Sequence, residues 1–272
     1  MKSLQATFQL SDRGVVGIVG AGGKTTLMFR LAKELSTAGS SVLTTTTTKI
    51  YHPTAGQSSR VVIEADPMRL IRKVDAFPAE ARHITAAAGI DDASGKLLGY
   101  TSGAIGVLWK TGRFQWILVE ADGAAGKPLK APAAHEPVIP GVTTVLVAVA
   151  GLDAVGKPLT EEWVFRSRLY ALMAGCSMGT TVTPESVYEV LTHPDGILKG
   201  CPEPAEKFVL LNSARLPFPT RIGRKVGAML AQRDRVRFRD VLMGNIGDEY
   251  TEIESLMSYK PGPEEEPEGG AA

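Results

Sequence analysis

With 272 residues, 44% of them hydrophobic and 22% charged, and a formal net charge of +1, the chain is long enough to bury a sizeable core. That near-neutrality argues against a partner held by bulk charge, so nucleic acid is not expected and small-molecule chemistry is. Cys176 and Cys201 form no Cys-x-x-Cys pair, and the most apolar run, 142–152, is too short to span a bilayer, so the expectation is a cytoplasmic protein without disulfide framework, structural zinc site or membrane segment.

Gly14 to Val19 reads as a first strand buried on both faces, and Leu27, Met28, Leu31, Ala32 and Leu35 then recur at helical spacing. Between them stand Gly20, Ala21, Gly22, Gly23, Lys24, Thr25 and Thr26. Small residues in such a corner let backbone N–H groups converge on an anion, and the helix N-terminus adds partial positive charge. Lys24 supplies a full charge and Thr25 a hydroxyl for a phosphate-bound Mg²⁺. In the common G-x-x-x-x-G-K-[ST] pattern the first glycine would fall at position 18, which is Ile18, so this loop is a shorter variant. It resembles the loop of the Mur-type amide ligases as much as that of GTPases and ATPases. The alternative without a ligand is a turn that only tightens the strand-to-helix connection.

Gly39 reads as the helix stop, and Ser41 to Thr47 as a second strand parallel to the first across a βαβ crossover. Five threonines in a row, Thr44 to Thr48, precede Lys49. Strand propensity accounts for them. Their place beside the loop also makes Thr46, Thr47, Thr48 and Lys49 candidates to reach Mg²⁺ or a terminal phosphate. Val61–Ile63 and His83–Ala88 read as short strands, Pro67–Val74 and Thr101–Lys110 as helices, and Asp91 to Tyr100 as a hairpin or turn insertion.

Phe114 to Val119 is the next strand, and it delivers Glu120 and Asp122 at its carboxyl end. An aliphatic strand ending in acids is a usual source of the carboxylate that serves Mg²⁺ or positions an attacking water; Asp122 is expected at the metal and Glu120 at the water. The long segment 123–137 holds Lys127 and Lys130, which can bind phosphate or a second anionic substrate, and His135, either a base or a packed surface histidine. His52, His83 and His193 lack metal-ligand spacing.

Thr143 to Val149 is a central apolar strand leading to Asp153; Thr160 to Ala174 reads as a helix, and Thr183-Pro184-Glu185 opens another. Phe208 to Leu211 is a late strand ending at Asn212, followed by a helix over Arg221–Gln232 and an edge strand over Val236–Leu242. Eight basic residues between Arg215 and Arg239 have few interleaved aromatics, the pattern of a solvated face. Residues 258–272 read as a disordered tail. The expected fold is α/β, a P-loop-type open, mostly parallel sheet with helices on both faces. Residues 1–155 would form the nucleotide-binding core, and 156–257 an α/β part completing that sheet or a small subdomain. The loop, Thr46 to Lys49, Glu120, Asp122, Asp153 and Asn212 then share the carboxyl edge, where ligands of open α/β sheets bind.

Those same stretches, with Lys130-Ala131-Pro132, His135-Glu136-Pro137 and Gly151-Leu152-Asp153, resemble the YqeC-type putative selenium-dependent hydroxylase accessory proteins over residues 10–245. The resemblance implies a P-loop NTPase-like protein serving maturation of selenium-dependent molybdenum hydroxylases, with the hydroxylase or its maturation factors as partners. At Leu211-Asn212-Ser213-Ala214-Arg215 the chain keeps only the Asn of the guanine-reading Asn-Lys-x-Asp stretch to which relatives tend, so the ligand is ATP or GTP. The expected activity is Mg²⁺-dependent NTP hydrolysis through Lys24, Glu120 and Thr46, with Gly20 to Thr26, Lys49, Lys127, Lys130 and Asn212 on the nucleotide and Thr25 and Asp122 on the metal. An ATP-dependent ligase or kinase acting on a small acid, and a non-hydrolysing nucleotide-binding module, are the alternatives.

Overall fold

The computed structural model describes residues 3–213, 220–234, 237–247 and 251–257. A nine-stranded sheet organises them. In chain order its strands are β1 (Gly14–Gly20), β2 (Val42–Thr46), β3 (Val61–Ile63), β4 (His83–Ala87), β5 (Trp116–Glu120), β6 (Val145–Gly151), β7 (Glu206–Asn212), β8 (Asp240–Ile246) and β9 (Thr251–Ser255). Their spatial order is β9-β8-β7-β6-β1-β5-β2-β4-β3, all parallel except β9, which runs antiparallel to β8. Every residue of β1, β2, β5 and β6 is buried, the pattern of strands covered on both faces.

The covering helices are α1 (Leu4–Thr7), α2 (Lys24–Thr37), α3 (Pro67–Asp75), α4 (Ser102–Lys110), α5 (Ser167–Ala174), α6 (Pro184–Thr192) and α7 (Arg221–Arg233). Alternation along β1 sends Val16 and Ile18 to one face, where α1 and α2 pack with Leu27, Met28, Leu31 and Leu35. Val15 and Val19 point to the other, covered by α3 and α4 under one half of the sheet and by α5 to α7 under the other. Gly39, at φ 98°, follows the last turn of α2 and ends it. The expected open α/β sheet with helices on both faces is the observed one, and β7 to β9, from the later part of the chain, belong to the same sheet as β1.

β5 enters between β1 and β2, so Ile18, Glu120 and Thr46 lie in register across three neighbouring strands and their carboxyl ends open onto one edge. A small three-stranded antiparallel sheet, Lys49–Ile50, Leu97–Leu98 and Gly89–Ile90, stands over that edge. The Gly99 amide donates to Thr48 O at 2.8 Å and the Tyr100 amide to Thr46 O at 2.9 Å, tying the insertion to the end of β2.

Two expected elements differ. The helix expected over 160–174 starts only at Ser167, because Val164–Phe165 pairs in parallel with Leu129–Lys130 and Arg166 turns left-handed at φ 58°. The Glu161 carboxylate then accepts the Arg166 and Ser167 amides, at 3.1 and 2.8 Å, and opens the helix there. The strand expected at the sheet edge over 236–242 is β8, which begins at Asp240 and has β7 on one side and β9 on the other. Residue 236 and the expected tail over 258–272 lie outside the described residues.

Candidate functional site

The corner between β1 and α2 is shaped by glycines. Gly20 and Gly22 adopt φ values of 94° and 80°, and a side chain at either would collide with backbone: its Cβ would stand 2.1 Å from Val149 O at Gly20 and 2.6 Å from Gly151 Cα at Gly22. Gly23 occupies the N-cap of α2 and makes no side-chain cap hydrogen bond to the first-turn amides. The Asn212 amide group donates to Gly22 O at 2.7 Å and its carbonyl accepts the Ile246 amide at 3.1 Å, bracing the loop against β7 and β8.

Behind the loop lies a buried charge network. Asp122, 0% exposed, accepts the Gly20 amide through both carboxylate oxygens at 3.1 and 3.0 Å and faces Lys24 at 3.3 Å and Lys130 at 2.9 Å. Lys24, 4% exposed, donates to Gly20 O at 2.7 Å and lies 3.7 Å from Glu120. Lys130 continues to Gly123 O at 2.6 Å and to Glu136 at 2.7 Å, and Glu136 takes the Arg166 fork at 2.6 and 3.0 Å. Three cations, Lys24, Lys130 and Arg166, thus balance three anions, Glu120, Asp122 and Glu136. Balance is required, since an unpaired charge at these depths costs several kcal/mol, on the order of 3–5.

Burial disfavours charge on Lys24, yet the carboxylates of Asp122 and Glu120 outweigh it and hold the ammonium above the ordinary lysine value. For Glu120 burial wins: its carboxyl sits above the usual range despite Lys24 and a hydrogen bond from Thr25. Burial also opposes charge on Glu136, but hydrogen bonds from Arg166 and Lys130 prevail and lower its pKa to about 2. Glu120 is thus a carboxylate that its burial pushes towards the neutral form.

Two adjoining pockets open in front of the loop. One, of about 260 Å³, has Lys24, Thr25 and Glu120 at its base, with Lys49, Lys96 and the 123–127 segment around it. The other, of about 400 Å³, reaches past Gly22 and Lys127 to Asp153, Glu162, Trp163 and Asn212. A further pocket of about 420 Å³ lies between the end of α2 and the 55–60 and 78–83 segments, away from the loop. Its size does not make it the chemical centre, because the loop and the acids converge elsewhere.

The predicted site residues are distributed as follows. Thr25 Oγ donates to Glu120 Oε2 at 2.7 Å, joining the first turn of α2 to the end of β5 at the pocket. Asp122 and Lys130 are enclosed behind the loop, their partners already supplied by the protein. Thr46 is fully buried; its hydroxyl donates to Glu120 O at 2.7 Å and accepts the Thr48 amide at 3.0 Å. Thr47 donates to Val138 O. Lys49 lines the first pocket and pairs with Asp91 at 2.7 Å, Lys127 lines both pockets, and His135 is exposed on the 123–137 segment. Ala21 is buried, and Thr26 lines both pockets.

Sequence reasoning missed Tyr51, Lys96, Trp163, Glu136 and Arg166. Tyr51 and Trp163 had a signal, being large aromatics beside strand ends. Lys96 and Arg166 had none, since only the folded insertion and the Leu129–Lys130 pairing bring them to the site. Of the basic residues expected on a solvated face, Lys225 pairs with Glu185 at 2.7 Å and Arg239 with Glu206 at 3.8 Å; Arg215 and Arg235 lie outside the described residues.

The fold and this corner define an open, mostly parallel α/β protein with a glycine-rich strand-to-helix loop at the carboxyl edge of its sheet. The family model described as "YqeC protein" matches residues 16–168. The "Uncharacterized protein YqeC" of Escherichia coli (strain K12) is 35% identical over 198 residues, covering 73% of this chain and 75% of that protein. The chain belongs to the YqeC family. Among the described residues no helix is long and apolar enough to cross a membrane.

Proposed function

We propose that the crevice binds a magnesium nucleoside triphosphate, ATP or GTP, and that the chain hydrolyses it slowly. The observation that carries this reading is the Thr25–Glu120 hydrogen bond at 2.7 Å, at the pocket and one residue beyond Lys24 on the uncapped start of α2. A turn that merely tightened a connection needs neither the hydroxyl nor the buried acid.

Phosphates would occupy the loop, held by its amides and the N-terminus of α2. Lys24 would leave Gly20 O to meet their charge, a short swing about a flexible stem. Asp122 keeps the Gly20 amide in place while Lys130 continues to balance it. Among the described residues no group of three or more His, Cys, Asp or Glu forms a metal cage, so the cation would be held jointly by phosphate oxygens, Thr25 Oγ and, directly or through water, Glu120. Glu120, which lines the pocket, suits this role better than Asp122, which is enclosed behind the loop. When bound, Mg²⁺ supplies charge neutralisation across the reacting phosphate oxygens. Thr46, bonded to Glu120 O, positions the end of β5. Base and ribose would fall on the Asn212 and Trp163 side, in the larger pocket.

The proposed hydrolysis is slow because, among the described residues, the first pocket is open and contributes few groups to orient a water. Family resemblance supports the further proposal that turnover serves maturation of selenium-dependent molybdenum hydroxylases in the cytoplasm. A second reading, phosphoryl transfer by a ligase or kinase to a small acid, is favoured by the lysines Lys49, Lys96 and Lys127 beyond the loop. Phosphate release is the test. Mg²⁺-dependent release from ATP or GTP alone, lost in Glu120→Gln, supports the NTPase; release only with an added acceptor supports transfer, and tight binding without turnover supports a non-hydrolysing module.

A further inference from the structure

The first pocket holds ammonium groups on the side away from the glycine loop as well as Lys24 beside it. A magnesium-chelated nucleoside triphosphate has a net charge of about −2, which Lys24 and the α2 N-terminus meet from below. With Lys24 turned to the phosphates, Lys130 still faces Asp122 and Glu136, Arg166 still faces Glu136, and Glu120 would share the bound cation. Three further ammonium groups, those of Lys49, Lys96 and Lys127, nevertheless surround the same 260 Å³ opening. Asp91 pairs with Lys49 on the outer side at 2.7 Å, while Lys96 stands over the Tyr51 ring and Lys127 lines the opening.

The small antiparallel sheet also brings an aromatic surface there. Tyr51 is 72% exposed beside this pocket, and the Lys96 ammonium stands 4.2 Å from its ring centroid. Such a pair presents a flat apolar face and a cation together, which suits a ligand with a ring and an anionic group. The proposed seat of the base on the Asn212 and Trp163 side decides which end of the nucleotide comes near. Asn212 and Trp163 stand on the β6–β7 side of β1, whereas Thr25, Glu120 and the insertion stand on the β5–β2 side, so the terminal phosphate would face Lys49, Tyr51 and Lys96.

We infer that this pocket is the subsite of a second substrate, a small ring-bearing molecule with a carboxylate or phosphate group, seated between Lys49, Lys96 and Lys127 with its ring on Tyr51, beside the terminal phosphate. This rests on the nucleotide reading for its orientation, not for its residues. It gives the insertion a role that neither the loop nor the sheet requires.

The test titrates benzoate, phenyl phosphate and inorganic phosphate into protein saturated with a magnesium complex of a non-hydrolysable ATP analogue, followed by calorimetry. Phenyl phosphate or benzoate is expected to bind at least about tenfold tighter than inorganic phosphate. Which of the two binds better identifies the anionic group. Lys96→Glu and Tyr51→Ala are each expected to weaken that binding about tenfold more than they weaken the nucleotide. Tyr51 is exposed and Lys96 partly so, and thermal unfolding checks that the variants fold.

Failure of both ring-bearing probes to bind the loaded protein at about 5 mM overturns the inference. So does binding that both substitutions leave unchanged, or binding that the ATP analogue displaces, since the probe is then in the loop. The same titration without nucleotide keeps the two readings separate. Probe binding that depends on Lys96 and Tyr51 in a protein that takes up no nucleotide leaves the subsite standing and removes the nucleotide assignment.

Discussion

Asp122 accepts the Gly20 amide through both its carboxylate oxygens, at 3.1 and 3.0 Å, from 102 positions further along the chain. The end of β5 therefore holds the first bend of the glycine loop, and the same carboxylate faces Lys24 and Lys130. Replacing Asp122 by Asn keeps the shape but removes one of the two carboxylates that each of Lys24 and Lys130 faces and leaves the buried network with one uncompensated positive charge. A loss of about 3–5 kcal/mol in urea unfolding is expected. A loss under about 1 kcal/mol would show that the lysines do not depend on this charge.

The glycine loop and the helix stop make contrasting tests of left-handed backbone. Gly22→Ala meets the Gly151 and Pro128 backbones in addition to an unfavourable φ, whereas Gly39→Ala has φ 98° but nothing within 4 Å of the added carbon. Gly39→Ala should cost about 1 kcal/mol by thermal unfolding, and Gly22→Ala at least about twice that together with loss of nucleotide binding. Equal costs would mean that close packing around the loop is not what demands glycine.

Acid sensitivity should fall in two windows. Burial lowers the pKa of His83 to about 4 in the folded chain, so the unfolded chain binds the proton more readily and stability falls as pH drops from about 6.5 towards 4. Glu136, lowered to about 2 by Arg166 and Lys130 against its burial, contributes stability above its unfolded value that is lost between about pH 4.5 and 2. Unfolding midpoints measured across pH should lose the upper window in His83→Gln and the lower in Glu136→Gln. An unchanged pH profile in either variant contradicts the corresponding assignment.

Thr25→Ala removes the hydroxyl that pairs with Glu120. Its affinity for nucleotide is expected to fall about tenfold with Mg²⁺ present and to change little in EDTA. An equal loss in both conditions, measured with a fluorescent nucleotide, would assign Thr25 to the phosphate rather than the metal.

The sheet and most helices were legible because β1, β5 and β6 are continuous apolar runs and the Leu27 to Leu35 stripe repeats with helical period. β9 was not, since its Thr-Glu-Ile-Glu-Ser sequence has one large apolar residue and gains its place by pairing with β8. The 160–166 segment looked helical from its apolar spacing. A tertiary pairing with Leu129–Lys130 and the Glu161 cap of α5 overrode that preference. At the site, the sequence placed the acids and lysines at one edge but not their depth. Asp122 and Lys130 sit behind the loop because β1, β5 and the 123–137 segment close over them, whereas the hairpin that carries Lys96 was legible but its pairing with Lys49–Ile50, which brings it to the front, was not.

The central claim is that the loop at Gly20 to Thr26 holds nucleotide phosphates through Lys24. Calorimetric titration of the wild-type protein and Lys24→Ala with Mg·ATP and Mg·GTP tests it most directly, with unfolding in the absence of ligand as the control for the network around Asp122. The account predicts saturable one-site binding of at least one triphosphate to the wild type and a loss of at least about a hundredfold in a folded Lys24→Ala variant. Equal affinity in the two proteins, or no binding of either nucleotide to the wild type, would contradict it.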